Sequence, residues 1–69
     1  MKYLIELFWS DEDEAWVAVV PDLPGCSAVG ATPQEAAAEV QDATDAWIAA
    51  HRAAGDSVPE PASKTRHAA

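Results

Sequence analysis

Carboxylates are the most numerous side chains in this sequence that could carry chemistry, because twelve Asp and Glu residues stand against four Lys and Arg residues. In the N-terminal part they are Glu6, the run Asp11–Glu14 and Asp22. A two-metal nuclease needs several carboxylates that converge on cations about 4 Å apart. Here Glu6 falls within a predicted strand, the run falls at a hairpin tip, and Asp22 falls in a turn at the far end of the next strand. The pattern therefore does not favour a metal-dependent nuclease.

One thiol and two imidazoles are the other groups with reactive potential: Cys26, His51 and His67. No charged residue or histidine neighbours Cys26 in the sequence, so we interpret it as a small buried side chain. His51 falls near the end of a predicted helix, where a partly charged imidazole is favourable, and His67 falls in the tail. These residues thus predict no catalytic site, cofactor or metal ion. A single cysteine also suits a reducing compartment.

A turn with two prolines and a glycine, Pro21-Asp22-Leu23-Pro24-Gly25-Cys26, is the most tightly specified segment of the chain. Proline fixes the backbone and glycine permits a positive φ, so this segment ends one strand and starts another with little freedom. We interpret Asp22 as structural, because an aspartate in a turn commonly accepts a bond from the turn backbone. Direct contact of Asp22 with a partner is the alternative.

Alternation of side chains predicts three strands, at residues 2–9, 15–20 and 26–30. The first strand has four apolar residues on one face: Tyr3, Ile5, Leu7 and Trp9. Its other face is mixed, and we expect both faces to be covered. The second strand places three side chains on one face: Trp16, Ala18 and Val20. The polar segment between these strands suits a hairpin turn, and the short connections favour an antiparallel meander.

A capping box, Thr32-Pro33-Gln34-Glu35, predicts the start of a helix. Gly55 predicts its end. Between them, apolar residues recur in alternating steps of four and three and form one stripe: Ala36, Val40, Ala43, Trp47, Ala50 and Ala54. The helix would be about 33 Å long, which exceeds the width of a three-stranded sheet. We therefore predict that Trp47 and Ile48 project past the sheet or contact another chain in an oligomer.

These elements predict an α+β domain, a three-stranded antiparallel meander with one long helix packed on one face (β-β-β-α). Val58 allows a short final strand. Residues 1–61 are expected to form this domain and residues 62–69 a disordered tail. A chain of this length buries only about 60% of its unfolded surface. Association with further copies, as a dimer or higher homo-oligomer, is the expected source of added stability.

The formal net charge of −8 limits the kinds of partner that the chain can bind. A chain this acidic repels phosphate backbones, so direct binding of nucleic acid is not expected. It would attract a basic protein, although an acidic surface also serves solubility alone. The first apolar stretch is too short for a signal peptide and is interrupted by Glu6, and no run has the length of a membrane span. We therefore expect a cytoplasmic protein.

Several motifs in the strands, the proline turn and the helix occur together. They are the aromatic strands Tyr3–Leu7 and Trp16–Val20, the turn Pro21–Cys26, Gly30 with Thr32, Glu35-Ala36, Ala46-Trp47, and Gly55 ahead of Pro59-Glu60-Pro61. In this combination, over about residues 3–61, the chain resembles the HicB-like antitoxin family. The proline turn is far more specific than a lone glycine-rich motif. The resemblance implies a partial ribonuclease-H-like fold.

The resemblance also implies a partner. Members of the family neutralise HicA, a small basic toxin that cleaves mRNA, by covering its active surface. On this basis the candidate partner-binding residues are Trp9, Asp11, Glu12, Asp13, Glu14 and Asp22. The alternatives are a solvated hairpin tip for the acidic run and packing of an edge strand for Trp9. The residues assigned to structural motifs are Pro21, Pro24, Gly25, Cys26, Thr32 and Gly55.

Two departures from the family pattern matter. Ala31 stands where the family often has aspartate before the threonine, so one turn or cap interaction is expected to be missing. Full-length members usually carry a C-terminal ribbon-helix-helix or helix-turn-helix DNA-binding segment. This sequence ends where that segment would begin, so promoter binding is not expected. Two other functions stay open at this point. One is a self-assembling interaction module with no toxin partner, and the other is a weak metal-dependent nuclease, suggested by fold analogy alone.

Overall fold

The fold was examined in a computed structural model, which describes residues 2–62. It contains strands β1 (Glu6–Ser10), β2 (Ala15–Val19) and β3 (Ser27–Gly30), followed by helix α1 (Pro33–Ala53). The strands form one antiparallel sheet in the order β1-β2-β3. The predicted α+β meander with one long helix is therefore confirmed. The predicted tail lies outside the described residues except for Ala62.

The register of the sheet decides which side chains meet the helix. Ala18, in the central strand, is opposite Leu7 on β1 and Ala28 on β3, and it is completely buried. Because side chains alternate between the two faces of a strand, Trp16 lies on the same face as Ala18. Val20 follows on that face and is also buried. Trp16, Ala18 and Val20 therefore share one face, as predicted, and the structure shows that this face packs in the core.

The first strand differs from the prediction. It begins at Glu6 rather than at Lys2. Its residues Glu6–Trp9 are exposed, so the expectation that both faces are covered is wrong. The strand is exposed because one helix is narrower than the sheet. A helix is about 10 Å across, whereas three strands spaced about 4.8 Å apart are wider. Helix α1 lies mainly over β3 and β2. It leaves β1 as an uncovered edge.

The capping box at the start of α1 forms as predicted. The Glu35 N–H donates to Thr32 Oγ1 at 3.0 Å. The Glu35 carboxylate reaches back and accepts from the Ala31 N–H at 3.0 Å, one residue before the usual position in a capping box. At the other end, α1 stops at Ala53 and Gly55 follows with φ of +81°, as expected for a glycine after a helix C-cap.

The buried face of α1 differs from the predicted stripe in its second half. Ala36, Val40 and Thr44 are the buried residues of the helix, whereas Ala50 and Ala54 are exposed. Thr44 enters the core because its hydroxyl donates to the Val40 carbonyl at 2.7 Å, which satisfies the polar group without water. A threonine hidden in this way cannot be recognised from hydropathy.

The hydrophobic core lies between the sheet and the helix and extends into the proline turn. Its fully buried members come from all three regions: Ala18, Val20, Leu23, Cys26, Ala36 and Val40. Among partly buried residues, Tyr3, Ile5, Trp16, Trp47 and Ile48 pack against this cluster. No helix of the described part of the chain is long and apolar enough to cross a membrane.

The segment after the helix returns to the start of the chain. The Tyr3 hydroxyl donates to the Pro59 carbonyl, and the Ala62 N–H donates to Asp22 Oδ2 at 2.9 Å. Val58 is half-buried, but no strand follows α1 as far as residue 62. A segment without regular secondary structure, held by these contacts, stands in place of the short final strand.

Candidate protein-binding site

The hairpin between β1 and β2 carries four consecutive acidic residues, Asp11–Glu14, all of them exposed. Ser10 holds the turn together: its Oγ donates to Asp13 Oδ2 at 3.0 Å and accepts from the Asp13 N–H at 3.2 Å. Glu14 closes the turn with a φ of +50°. We call these four residues the acidic tip. Local bonds order the turn, so the tip exposes four consecutive acidic side chains on an ordered hairpin.

Trp9 stands directly beside the acidic tip. Its indole Nε1 donates to Asp11 Oδ1 at 2.8 Å, and its ring meets Trp16 edge to face with centroids 5.8 Å apart and planes at 71°. Edge-to-face geometry is favourable for aromatic pairs. About half of Trp9 (48%) remains exposed. A half-exposed and well-oriented tryptophan next to carboxylates has the properties of a protein contact.

The proline turn is a compact loop closed by its own backbone. The Val20 N–H donates to the Cys26 carbonyl at 3.0 Å, the Leu23 N–H to the Val20 carbonyl at 3.1 Å, and the Cys26 N–H to the Leu23 carbonyl at 3.0 Å. Gly25 has a φ of +80°, a conformation that side chains disfavour. The loop conformation that these bonds fix places the Leu23 side chain in the core, where it is 1% exposed.

Asp22 and the acidic tip do not form one surface. The tip precedes β2 and the proline turn follows it, so the two lie at opposite ends of that strand. The Asp22 carboxylate holds the Ala62 N–H, forty residues later in the chain, which joins the turn to the returning C-terminal segment. The structure therefore separates Asp22 from the other candidate contact residues.

Trp47 and Ile48 lie against the core of their own chain. The Trp47 Nε1 donates to the Pro24 carbonyl at 3.0 Å, and its ring stacks on His51 with centroids 3.6 Å apart. The proline turn extends the surface under α1, and this is why the helix does not overhang at Trp47. A role for these two residues in an oligomer remains a prediction.

Cys26 is buried and is a free thiol. Its Sγ lies 3.5 Å from Thr44 Oγ1, which matches the interpretation of a small interior side chain. In the part of the chain that the structure describes, no group of three or more His, Cys, Asp or Glu residues could hold a metal ion.

Comparison with known proteins identifies the family of this chain. A family model described as the HicB_like antitoxin of bacterial toxin-antitoxin systems matches residues 3–69. The chain belongs to the HicB-like antitoxin family. A UPF0150 protein of Thermoplasma acidophilum is 36% identical over 59 residues, which cover 86% of this chain and 84% of that protein. No solved structure matches.

The motifs that mark this HicB-like antitoxin are mainly folding elements. The proline turn supplies Leu23 and Cys26 to the core and an acceptor to Trp47. Ala31, the departure from the family pattern, does not leave its N–H without a partner, because the Glu35 carboxylate accepts from it. The exposed surface, rather than the recognisable motifs, is therefore where partner contacts have to be sought.

Sequence reasoning missed one exposed feature of this antitoxin. Leu7, Phe8 and Val29 are large apolar residues that are 42–54% exposed. The mixed pattern of β1 predicts a strand covered on both faces, which the structure does not show. The signal that could have revealed the exposure is Glu6 in the row of Phe8, because a charged residue rarely faces a closed core.

Replacing Asp22 by alanine is expected to lower the free energy of unfolding by about 1 kcal/mol, the usual net value of one hydrogen bond. The lost bond ties the proline turn to Ala62. Chemical denaturation of the antitoxin measures the change. Asp22→Asn, which keeps an acceptor oxygen, is the matched control and should lose less. Unchanged stability of Asp22→Ala with selective loss of toxin binding would make Asp22 a contact residue instead.

Proposed function

We propose that this antitoxin neutralises a HicA-type mRNA-cleaving toxin by direct protein contact. The family implies a toxin partner, and the acidic tip beside Trp9 is the observation that supports a basic protein as that partner. The four carboxylates of the tip belong to a chain with a net charge of −8. We further propose that the antitoxin acts in the cytoplasm, without catalysis and without binding nucleic acid itself.

In this proposal the charge of the acidic tip and the neighbouring Trp9 affect different rates. Complementary charge mainly raises the rate of association, by an order of magnitude or more at low salt. A tryptophan at the border of the charged group adds apolar contact area, which slows dissociation. The tip is held by Ser10 and Trp9, so little ordering is required when a partner binds. Limited ordering preserves affinity.

Reversing two charges of the tip tests this role. The double substitution Glu12→Lys, Glu14→Lys is expected to reduce the association rate with the purified cognate toxin about tenfold at low salt, because rim charges act on encounter. Both side chains are exposed, so stability should change little. Stopped-flow or surface-based kinetics at two salt concentrations provide the measurement.

The matched control is Glu39→Lys, Asp42→Lys, which makes the same change of net charge on exposed positions of α1. If both double variants slow association equally, total charge matters and the tip is not the site. Co-expression tests the wider proposal. A cognate HicA-like toxin that stays fully active beside this chain, and forms no complex with it, would refute neutralisation.

A further inference from the structure

Strand β1 exposes three consecutive large apolar side chains. Leu7 is 42%, Phe8 47% and Trp9 48% exposed. The strand is also an edge of the sheet, so one row of its backbone N–H and C=O groups has no partner strand within residues 2–62. An apolar edge strand that carries no lysine or proline is a template for pairing with another strand.

The exposed side chains lie on both faces of β1. Leu7 and Trp9 are opposite Ala18 and Trp16 on the helix side of the sheet, whereas Phe8 is opposite Val17 on the open side. The free backbone edge runs between these two apolar surfaces. A flat or helical partner would cover one face and leave the edge unpaired. An added strand pairs with the backbone edge and covers the apolar side chains on both faces of β1 together.

We propose that a second copy of this chain adds to β1 in antiparallel orientation, with Phe8 opposite the partner's Phe8, and forms a continuous six-stranded sheet. A twofold axis perpendicular to the sheet keeps both helices on one side. In this register Leu7 faces the partner's Trp9 on the helix side. Pairs of aromatic and aliphatic side chains across strands are stabilising, so the edge is complementary to itself.

Charge is compatible with this register. Glu6 is opposite the partner's Ser10, so no carboxylate faces another across the new strand pair. Residue 12 of one copy aligns with residue 4 of the other, which separates the two acidic tips by about eight residues, or about 27 Å along the strands. That distance exceeds the Debye length of about 8 Å at physiological salt. The tips therefore stay apart, one at each end of the dimer.

Other surfaces fit a second copy less well. Stacking through the open face, along the row Phe8, Val17 and Val29, would leave Leu7 and Trp9 exposed. Trp47 and Ile48 are already packed in their own chain. The toxin is the remaining competitor, because in the proposed function it contacts the same exposed half of Trp9. Toxin and a second copy would therefore compete for this edge, and experiments without toxin separate self-pairing from toxin binding.

The exposed apolar area of Leu7, Phe8 and Trp9 indicates a weak dimer. Almost half of each of three side chains, each with roughly 200 Å² of surface, gives on the order of 500 Å² of apolar area over both copies. Specific interfaces usually bury more than about 1,000 Å² in total, and backbone atoms of the two edges supply part of the remainder. We therefore expect dissociation in the micromolar range.

Sedimentation velocity of the purified chain over about 1–300 µM, concentrations chosen to bracket a micromolar dissociation constant, tests the dimer. A species of twice 7.3 kDa is expected at the upper end. Phe8→Lys places two ammonium groups opposite each other and should weaken dimerisation by at least about tenfold. Val29→Lys is the matched control, since it puts the same charge on the same face at the far strand, and it should dimerise like the unmodified chain.

Disulfide trapping tests the register. A mixture of the Glu6→Cys and Ser10→Cys variants is expected to cross-link under mild oxidation, because these positions face each other. Glu6→Cys alone should cross-link at least about tenfold more slowly, because its two copies lie about 13 Å apart in this register, beyond disulfide reach. The native Cys26 is buried and contributes little background.

Three results would overturn the proposal. The first is a monomer at every concentration, and the second is a dimer that Phe8→Lys leaves intact. The third is a dimer lost with Val29→Lys, which indicates open-face stacking. Circular dichroism shows whether each variant is folded, and if Phe8→Lys fails to fold, the cross-linking result decides. No toxin is present in these experiments, so their failure leaves the proposed function standing.

Discussion

Gly30→Ala is expected to lower the free energy of unfolding by about 3 kcal/mol, the upper part of the range for overpacking a core. A Cβ atom on Gly30 would lie 2.5 Å from the Ala36 nitrogen and 2.9 Å from the Glu35 carbonyl carbon. Both are backbone atoms of the first turns of α1, so neither can rotate aside. The helix must move away from β3 or the capping box must distort. Urea unfolding followed by circular dichroism measures the loss.

Gly25→Ala is the matched control for this prediction. Gly25 has a φ of +80°, but an added Cβ meets nothing within 4 Å. Its cost should be the left-handed backbone alone, about 1–2 kcal/mol. The comparison separates lack of space from backbone strain. Equal losses for the two variants, or a stable Gly30→Ala, would show that the helix does not approach β3 so closely.

Leu23→Ala is expected to leave a large fraction of the protein unfolded at 25 °C. Leu23 is 1% exposed and lies in the buried cluster, and truncating a buried leucine costs about 2–5 kcal/mol. A domain of this size has a net stability of roughly 3–5 kcal/mol. The loss therefore approaches the whole stability. Thermal unfolding and the dispersion of amide NMR signals provide the measurements.

Val29→Ala serves as the control for Leu23→Ala. Val29 is 54% exposed on the open face of β3, so its truncation should cost below about 1 kcal/mol, as surface changes usually do. If Leu23→Ala is as stable as Val29→Ala, the proline turn does not anchor the core. In that case its role would lie in partner contact rather than in folding.

The elements whose signals are local could be predicted from the sequence. The capping box of Thr32 and Glu35 and the glycine at 55 fix both ends of α1 to within about two residues. The shared face of Trp16 and Ala18 in the second strand follows from their spacing of two. These features depend on hydrogen bonds and side-chain directions within a few residues, so no knowledge of distant contacts is required.

The features set by distant contacts could not be predicted. How far α1 reaches over the sheet decides that Leu7 and Trp9, on the helix side of β1, stay exposed, and Glu6 signals exposure only for the other face. Thr44 is buried because Val40 and Cys26 satisfy its hydroxyl, and the crowding at Gly30 depends on where the helix passes. Each of these follows from packing between segments that are far apart in the sequence.

The candidate site also combines features that could be predicted from the sequence with features that could not. The acidic tip could be located from its run of charges and the hairpin around it. The bond from Trp9 to Asp11 fixes an orientation that composition does not contain. The structure joins Asp22 to Ala62, a contact outside its own turn. A bond across forty residues leaves no mark in the local pattern.

The buried thiol of Cys26 makes the protein a reporter of its own opening. The thiol is the only one in the chain and is 3% exposed, so a thiol reagent reacts with the native antitoxin only during transient unfolding. Under conditions where reclosing is faster than reaction, the rate of modification gives the free energy of that opening. Repeating the measurement at increasing protein concentration, or with toxin added, converts each association into a change of rate without any introduced label.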